Sequence, residues 1–278
     1  MKIFTTRKDL QQHLSQTRAA NKTTGLVPTM GALHAGHLSL IKRAHECTDE
    51  VICSIFVNPT QFNDPKDLEK YPRTLEADIQ MLVAANCDIL FSPDENEMYD
   101  GNEQWHLDLG DLESLLEGKF RPGHYQGVTQ IVYKLFSLVK PDTAFFGQKD
   151  YQQFLVISKM VELLGLPVKL VMCPIMREPD GLAMSSRNIH LTPDDRRRAL
   201  ILSKTLNWVK TRFDTRNISR LISEAEAMIA NEPGAELEYF EIADGNTLNP
   251  ADESSKKIVA LVAARVGKTR LIDNIVIS

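Results

Sequence analysis

The chain has 278 residues, of which 43% are hydrophobic and 25% are charged, and its formal net charge is −5 at pH 7. These values are typical of a globular protein and argue against a disordered chain or a large nucleic-acid-binding surface, which needs an excess of Lys and Arg. The N-terminus becomes polar too early for a secretory signal, and no apolar run approaches the roughly 18 residues that span a bilayer. We therefore expect a soluble, cytoplasmic protein with one large and one smaller domain.

Short apolar strands alternate with amphipathic helices up to about residue 175. The predicted strands cover residues 25–28, 51–57, 88–91, 143–146 and 168–175, and the predicted helices cover residues 36–48, 74–86, 127–139 and 151–164. Near-continuous apolar strands separated by helices indicate a doubly wound, Rossmann-like α/β fold, in which helices cover both faces of a parallel sheet. Such a sheet binds its ligands beyond the carboxyl ends of the strands.

The pattern changes after the turn at residues 178–181. Thr192, Pro193 and the two acids that follow form a strong helix start, with an N-cap and a proline at the first helical position. Two helices and then strands over residues 236–243 and 257–266 are expected. We therefore predict a catalytic domain over residues 1–176 and a small α+β domain over residues 177–278, joined by a hinge near 176–190.

Two histidines, His34 and His37, lie where the first predicted strand gives way to a helix. The N-terminus of a helix offers unpaired N–H groups and the positive end of its dipole, so it favours an anion such as a phosphate. A lone histidine in that position is more often structural, but two imidazoles among small residues favour a phosphate-binding site.

Polar side chains also follow two later strands. Asn58 and Gln61 come after the second strand, and the amide of Gln61 suits a small substrate that carries hydroxyls and a carboxylate. Lys149 and Asp150 follow the strand at 143–146, where the lysine can neutralise a phosphate and the acid can accept from a ribose or an amine. A proline-capped polar loop and a surface Lys–Asp pair are the alternatives at these two places.

The predicted hinge carries Ser185, Ser186 and Arg187 in succession, which suits a loop that closes over a nucleotide, although this composition is also common in ordinary loops. The sequence at 267–269 imitates the end of a P-loop, but Val262 stands where the first glycine belongs. The cysteines are well separated and suit core thiols rather than metal or redox chemistry, namely Cys47, Cys53, Cys87 and Cys173.

Taken together, these residues resemble the pantoate–β-alanine ligase family, which belongs to the nucleotidyltransferases with a His-x-Gly-His signature. The resemblance covers much of the first 190 residues. Its motifs are PTMGALHAGH at 28–37, FVNPTQF at 56–62, YPRT at 71–74, RPGHYQGV at 121–128, FGQKDYQQ at 146–153 and DGLAMSSRN at 180–188.

The resemblance implies that pantoate attacks the α-phosphate of ATP to give pantoyl adenylate, and that β-alanine then displaces AMP. It implies catalytic roles for His34, His37, Lys149 and Arg187, and pantoate binding by Asn58, Gln61 and Gln153. The remaining ATP-binding positions that it implies are Pro28, Met30, Gly147, Asp150, Met176, Met184, Ser185 and Ser186. It also implies Mg²⁺ with Asp78 as a ligand, a homodimer, and a C-terminal domain that acts as a lid.

Two other functions are possible, an adenylyltransferase with the same histidine motif and a nucleotide sensor on the same fold. An adenylyltransferase would leave AMP on its product, and a nucleotide sensor would bind without turnover. Gln61 and Gln153 favour the ligase over the adenylyltransferase because they suit a small hydroxy acid. Both histidines together with Lys149 and Arg187 argue against a protein that has lost its chemistry.

Overall fold

The computed structural model describes residues 1–101 and 103–278 and contains two compact units. The first unit comprises Met1–Gly147 and Val156–Cys173, and the second comprises Gln148–Leu155 and Pro174–Ser278. The main part of the second unit therefore begins at Pro174, slightly before the predicted boundary at residue 176. The short segment that follows the fifth strand is grouped with the second unit.

A parallel sheet forms the centre of the first unit. Its strands are β1 (Lys2–Phe4), β2 (Thr24–Thr29), β3 (Glu50–Ile55), β4 (Ile89–Phe91), β5 (Thr143–Gly147) and β6 (Lys169–Cys173). They lie in the order β1-β4-β3-β2-β5-β6, and every neighbouring pair is parallel, which confirms the predicted class. The chain moves outward in one direction from β2 and in the other from β5, so the point where the order reverses lies between these two strands.

The helices of the first part of the chain follow the predicted pattern, with additions. They are α1 (Arg7–Ala19), α2 (Ala35–His45), α3 (Pro65–Lys70), α4 (Leu75–Ala84), α5 (Glu95–Met98), α6 (Leu116–Phe120), α7 (His124–Val139) and α8 (Tyr151–Leu164). The inner face of α2, with Ile41 and Ala44, packs into one buried cluster with Val27, Val51 and Phe145 of the sheet. Burial of each large aliphatic side chain contributes about 1.5–3 kcal/mol, so the cluster fixes α2 against β2, β3 and β5.

The second unit contains α9 (Pro193–Arg212), α10 (Ile218–Ala230) and an antiparallel sheet of β7 (Ala235–Asp244), β8 (Ile258–Val266) and β9 (Thr269–Val276). Thr192 caps α9 as predicted, because its side chain accepts from the N–H of Asp195 at 3.1 Å. Strand β9 was not among the predicted strands. Gly267, with φ of 56°, begins the turn between β8 and β9, so the P-loop-like sequence at 267–269 belongs to a β-hairpin.

The prediction for the cysteines is confirmed at three positions and wrong at one. Cys53, Cys87 and Cys173 are buried, and burial raises the pKa of the Cys87 and Cys173 thiols to about 11. Cys47 is exposed because it follows the end of α2 rather than lying on its inner face. A helix with the length and hydropathy that a bilayer crossing needs does not occur among the described residues.

Candidate active site

The loop from β2 to α2 places the histidines as the sequence predicts. Gly31 and Ala32 both have positive φ, of 78° and 49°, so the chain turns sharply as it leaves the carboxyl end of β2. His34 is the N-cap of α2 in an extended conformation, and His37 lies in the first turn. The positive end of the α2 dipole and both imidazoles therefore lie at the edge of the sheet where ligands bind.

Hydrogen bonds fix the tautomer of both imidazoles. His34 Nδ1 accepts from the N–H of Gly36 at 3.2 Å, and His37 Nδ1 accepts from the N–H of His34 at 3.3 Å. Because Nδ1 is the acceptor in each neutral ring, the proton lies on Nε2. The ring centroids are 4.1 Å apart. The arrangement thus places two imidazoles against each other at a helix start, each with its proton on Nε2, which suits a group with several anionic oxygens.

Asp78, in the first turns of α4, forms hydrogen bonds with the backbone of the same loop. Its carboxylate accepts from the N–H of Ala32 at 3.0 Å and of Leu33 at 2.8 Å, and Thr74 Oγ1 donates to both oxygens at 3.3 Å. The side chain is buried, with 1% of its surface exposed. These bonds compensate a buried carboxylate and stabilise the left-handed backbone at Ala32 directly before the histidines.

These contacts do not fit the Mg²⁺ ligand that the resemblance implies at Asp78. Both carboxylate oxygens are directed at backbone N–H groups and a hydroxyl, whereas a hard cation needs outward-facing oxygens. No cluster of three or more His, Cys, Asp or Glu side chains suited to a metal occurs within residues 1–101 and 103–278. Asp78 is therefore a structural support of the histidine loop in this chain.

The segment after β3 forms a buried amide pair. Asn58 Nδ2 donates to Gln61 Oε1 at 3.3 Å, and Gln61 Nε2 lies 3.2 Å from the sulfur of Met30, so the loops that follow β2 and β3 meet. Tyr99 donates to Asn58 Oδ1 at 2.7 Å, and burial raises the pKa of this phenol to about 12, so it remains a donor. Sequence reasoning missed Tyr99 because it follows α5, a short helix without a periodic signal.

A histidine in the RPGHYQGV motif supports Gln61 from the other side. His124 Nδ1–H donates to the carbonyl of Gln61 at 2.8 Å, and Arg121 Nη1 lies 3.1 Å from His124 Nε2. The closeness of α7 depends on Gly127, where an added Cβ would lie 2.3 Å from the carbonyl oxygen of Thr60. The motif therefore fixes the backbone of Gln61, a predicted substrate-binding residue.

Gly147 lies at the carboxyl end of β5, next to β2, at the point where the strand order reverses. A Cβ built there meets no atom within 4 Å, so packing does not require glycine and the position is open for a ligand to approach the backbone. Pro28 lies near the carboxyl end of β2, opposite Ser54 of β3. Both predicted nucleotide-binding positions thus border the sheet edge that the fold reserves for ligands.

The other predicted residues belong to the second unit. Lys149 and Asp150 lie in a short 3-10 turn at Gln148–Asp150, and Gln153 lies in the first turn of α8. Met176 and Met184 are joined by a hydrogen bond of 3.0 Å from the Met184 N–H to the Met176 carbonyl. Ser185 caps the 3-10 helix Ser186–His190, since its Oγ accepts from the N–H of Arg187 at 3.2 Å.

Comparison with protein families gives a match that spans nearly the whole chain. The model described as "Pantoate-beta-alanine ligase" matches residues 2–276. A pantothenate synthetase from Bacteroides fragilis is 48% identical over 277 residues, which cover 99% of this chain and 98% of that protein. One from Roseiflexus sp. is 47% identical over 279 residues, with 100% and 99% of the two chains covered.

Solved structures agree in fold and sequence. The crystal structure of pantothenate synthetase from Thermus thermophilus superimposes with a TM-score of 0.93 and 39% identity, covering 100% of this chain and 99% of that one. The pantoate-beta-alanine ligase from Francisella tularensis, complexed with beta-gamma ATP and beta-alanine, superimposes with a TM-score of 0.83 and 37% identity. The match covers 99% of this chain and 97% of that one. The full-length match in sequence and fold, together with the two histidines at the start of α2, shows that the chain belongs to the pantoate–β-alanine ligase family.

Proposed function

We propose that the chain condenses pantoate with β-alanine at the expense of ATP, through pantoyl adenylate, and releases AMP and pyrophosphate. The observation that carries this proposal is the pair of Nε2–H donors of His34 and His37 at the start of α2, in a chain whose relatives are pantoate–β-alanine ligases. Phosphoryl transfer needs positioning and charge stabilisation more than a protein nucleophile, and these donors supply both.

In the first step, a carboxylate oxygen of pantoate bonds to the α-phosphorus of ATP. The bond from that phosphorus to the bridging oxygen of the β-phosphate breaks, and its electron pair leaves with pyrophosphate. We assign His37 to the developing charge on the transferred group and His34 to the adjoining phosphate oxygens. Both neutral rings can donate without losing their Nδ1 bonds to the backbone.

In the second step, the amine of β-alanine bonds to the acyl carbon of the adenylate. The bond from that carbon to the phosphate oxygen breaks, its electron pair leaves with AMP, and the amine proton passes to solvent. The residues that bind pantoate in both steps are Asn58, Gln61 and Gln153. The Asn58–Gln61 pair presents amide groups of fixed orientation, which suits the hydroxyls and carboxylate of this substrate.

The second unit contributes the cationic and hydroxyl donors to ATP. We assign Lys149, Ser185, Ser186 and Arg187 to its phosphates, since ammonium, hydroxyl and guanidinium groups all donate to phosphate oxygens. We assign the adenosine to the positions Pro28, Met30, Gly147, Asp150, Met176 and Met184. Residues 177–278 then act as the lid that the resemblance implies.

Mg²⁺ enters this proposal as part of the substrate MgATP, in which it neutralises phosphate charge. The described residues do not offer a carboxylate cluster for it, and Asp78 is engaged with the loop. A homodimer and a cytoplasmic location also stay proposals that rest on the family resemblance and the composition. Light scattering of the purified chain tests the dimer.

The experiment that tests the reaction is chromatographic detection of AMP and pantothenate after incubation with ATP, Mg²⁺ and pantoate, with and without β-alanine. Equal amounts of both products that depend on β-alanine are expected. A product that keeps AMP attached would favour the adenylyltransferase. ATP binding with no turnover by a folded chain would favour the nucleotide sensor, and either outcome would contradict the ligase.

A further inference from the structure

Strand β9 carries two consecutive polar side chains that are both buried. Asp273 is 4% exposed and Asn274 is 2% exposed. Neighbouring residues in a strand point to opposite faces of the sheet, so a buried polar pair needs partners on both faces. These partners lie in the two segments of the second unit to which we assign ATP binding.

Asn274 holds the segment that carries Lys149. Its Nδ2 donates to the carbonyl of Gln148 at 3.0 Å and to the carbonyl of Lys149 at 2.9 Å, and its Oδ1 accepts from Gln148 Nε2 at 3.1 Å. Both amide hydrogens and the oxygen of Asn274 are therefore used on two consecutive residues. Such a set of bonds fixes the direction in which the Lys149 side chain leaves the backbone.

Asp273 holds the segment that leads to Ser185. Arg177 donates to its carboxylate through both terminal nitrogens, at 2.7 Å and 3.0 Å, and the same guanidinium donates to the carbonyl of Gly181 at 3.1 Å. Arg177 also pairs with Ala183 across the narrow hairpin that ends at Ser185. The fork of Arg177 thus ties both arms of this hairpin to β9.

Simple packing is a poor explanation for this pair. Burial raises the pKa of Asp273 even with Arg177 beside it, so part of the desolvation cost of the carboxylate is not offset. Apolar residues of similar size often stabilise such positions better than a buried ion pair does. What the polar pair provides is a defined geometry for two separate backbone segments.

We propose that Asp273 and Asn274 are positioning residues for ATP, with Asn274 acting through Lys149 and Asp273 through the segment Ser185–Arg187. This inference rests on the proposed function, because it takes its meaning from the assignment of those segments to the phosphates. In this proposal neither Asp273 nor Asn274 contacts the substrate, and both act through the segments that they hold.

The test compares ATP binding by calorimetry in Asn274→Ala, Asn274→Ser and Asn207→Ala. Loss of the three neutral hydrogen bonds of the Asn274 side chain predicts that Asn274→Ala weakens ATP binding about tenfold. The serine variant should lie between it and the parent, and pantoate binding should change less than about twofold. Asn207 serves as the control, since it is an exposed asparagine of the second unit whose amide donates at 2.8 Å to the Ser203 carbonyl within its own helix.

A double-mutant cycle separates positioning from general stabilisation. If Asn274 acts through Lys149, Asn274→Ala causes no further loss of ATP binding in the Lys149→Ala chain. Additive losses, equal weakening of ATP and pantoate, or unchanged ATP affinity in a folded Asn274 variant would each overturn the proposal. Because the readout is binding, failure of the ligase reaction in the parent chain would count against the proposed function alone.

Discussion

Replacement of Asp78 by Asn tests whether the histidine loop depends on a buried carboxylate. The change keeps the size of the side chain but replaces one acceptor oxygen by an NH₂ group, which would then face the N–H of Ala32 or Leu33. Hydrogen bonds to a charged acceptor contribute about 1.5–3 kcal/mol each, and the variant loses one of them and leaves one buried donor unpaired. We therefore expect the loop to lose about 3 kcal/mol of local stability.

Amide hydrogen exchange measures that loss at the two residues concerned. A change of about 3 kcal/mol corresponds to a factor of about 10² in the opening equilibrium, so protection of the Ala32 and Leu33 amides should fall by that factor. Turnover should fall too, because the loop carries His34 and His37 to the start of α2. The Mg²⁺ concentration for half-maximal activity should stay unchanged.

The matched control is Asp64→Asn. Asp64 likewise accepts from a backbone N–H, that of Lys66 at 2.9 Å at the start of α3, but it is exposed. The Asp64→Asn variant should leave hydrogen exchange at the Ala32 amide unaltered. Unchanged protection of Ala32 and Leu33 in Asp78→Asn would refute the support role, and a raised Mg²⁺ requirement with normal protection would restore Asp78 as a metal ligand.

Four further expectations follow from the geometry. His37→Ala should lower kcat about 10²- to 10³-fold, as loss of a single charge-stabilising donor does, and steady-state kinetics that show normal turnover would refute its role. Tyr99→Phe removes the 2.7 Å bond to Asn58 and should raise the KM for pantoate about fivefold with little change in the KM for ATP; equal changes would contradict this. Cys47 should react with a thiol reagent before the three buried cysteines, which peptide mapping of the labelled native chain would show or disprove. The bonds from Arg216 lower the pKa of Asp214 to about 2 from 3.8, so the stabilising contribution of Asp214 is complete above pH 3.8 and is lost as the pH falls toward 2. The free energy of unfolding of Asp214→Ala should therefore fall less steeply over this pH range than that of the parent chain, and equal slopes would argue against the contribution.

The central strands and the histidine pair were predictable because their signals are local. An apolar run followed by small residues and an amphipathic helix is enough to indicate a strand end and a helix N-terminus, and the structure places His34 at the N-cap. The edge strand β1 was missed because it has only three residues, and α1 because Leu10 and Leu14 are its only buried apolar side chains.

The rest of the site depends on contacts between distant residues. Asp273 and Asn274 interrupt the apolar pattern of β9, so the pattern did not indicate a strand, and only the fold reveals that these polar groups have buried partners. Tyr99 and His124 likewise gain their meaning from Asn58 and Gln61, which are remote in sequence. The sequence therefore indicates the side chains that we assign to ligands more readily than the side chains that position them.

The close approach of α7 to the turn at residues 59–61 limits how this enzyme could be redesigned. Even a methyl group at Gly127 would overlap the carbonyl of Thr60, so the turn that carries Gln61 would have to shift before any new side chain could fit. The close contact between helix and turn thus fixes the position of Gln61, to which we assign pantoate. Variants intended to take bulkier acids should leave Gly127 unchanged and alter the side chains that we assign to pantoate.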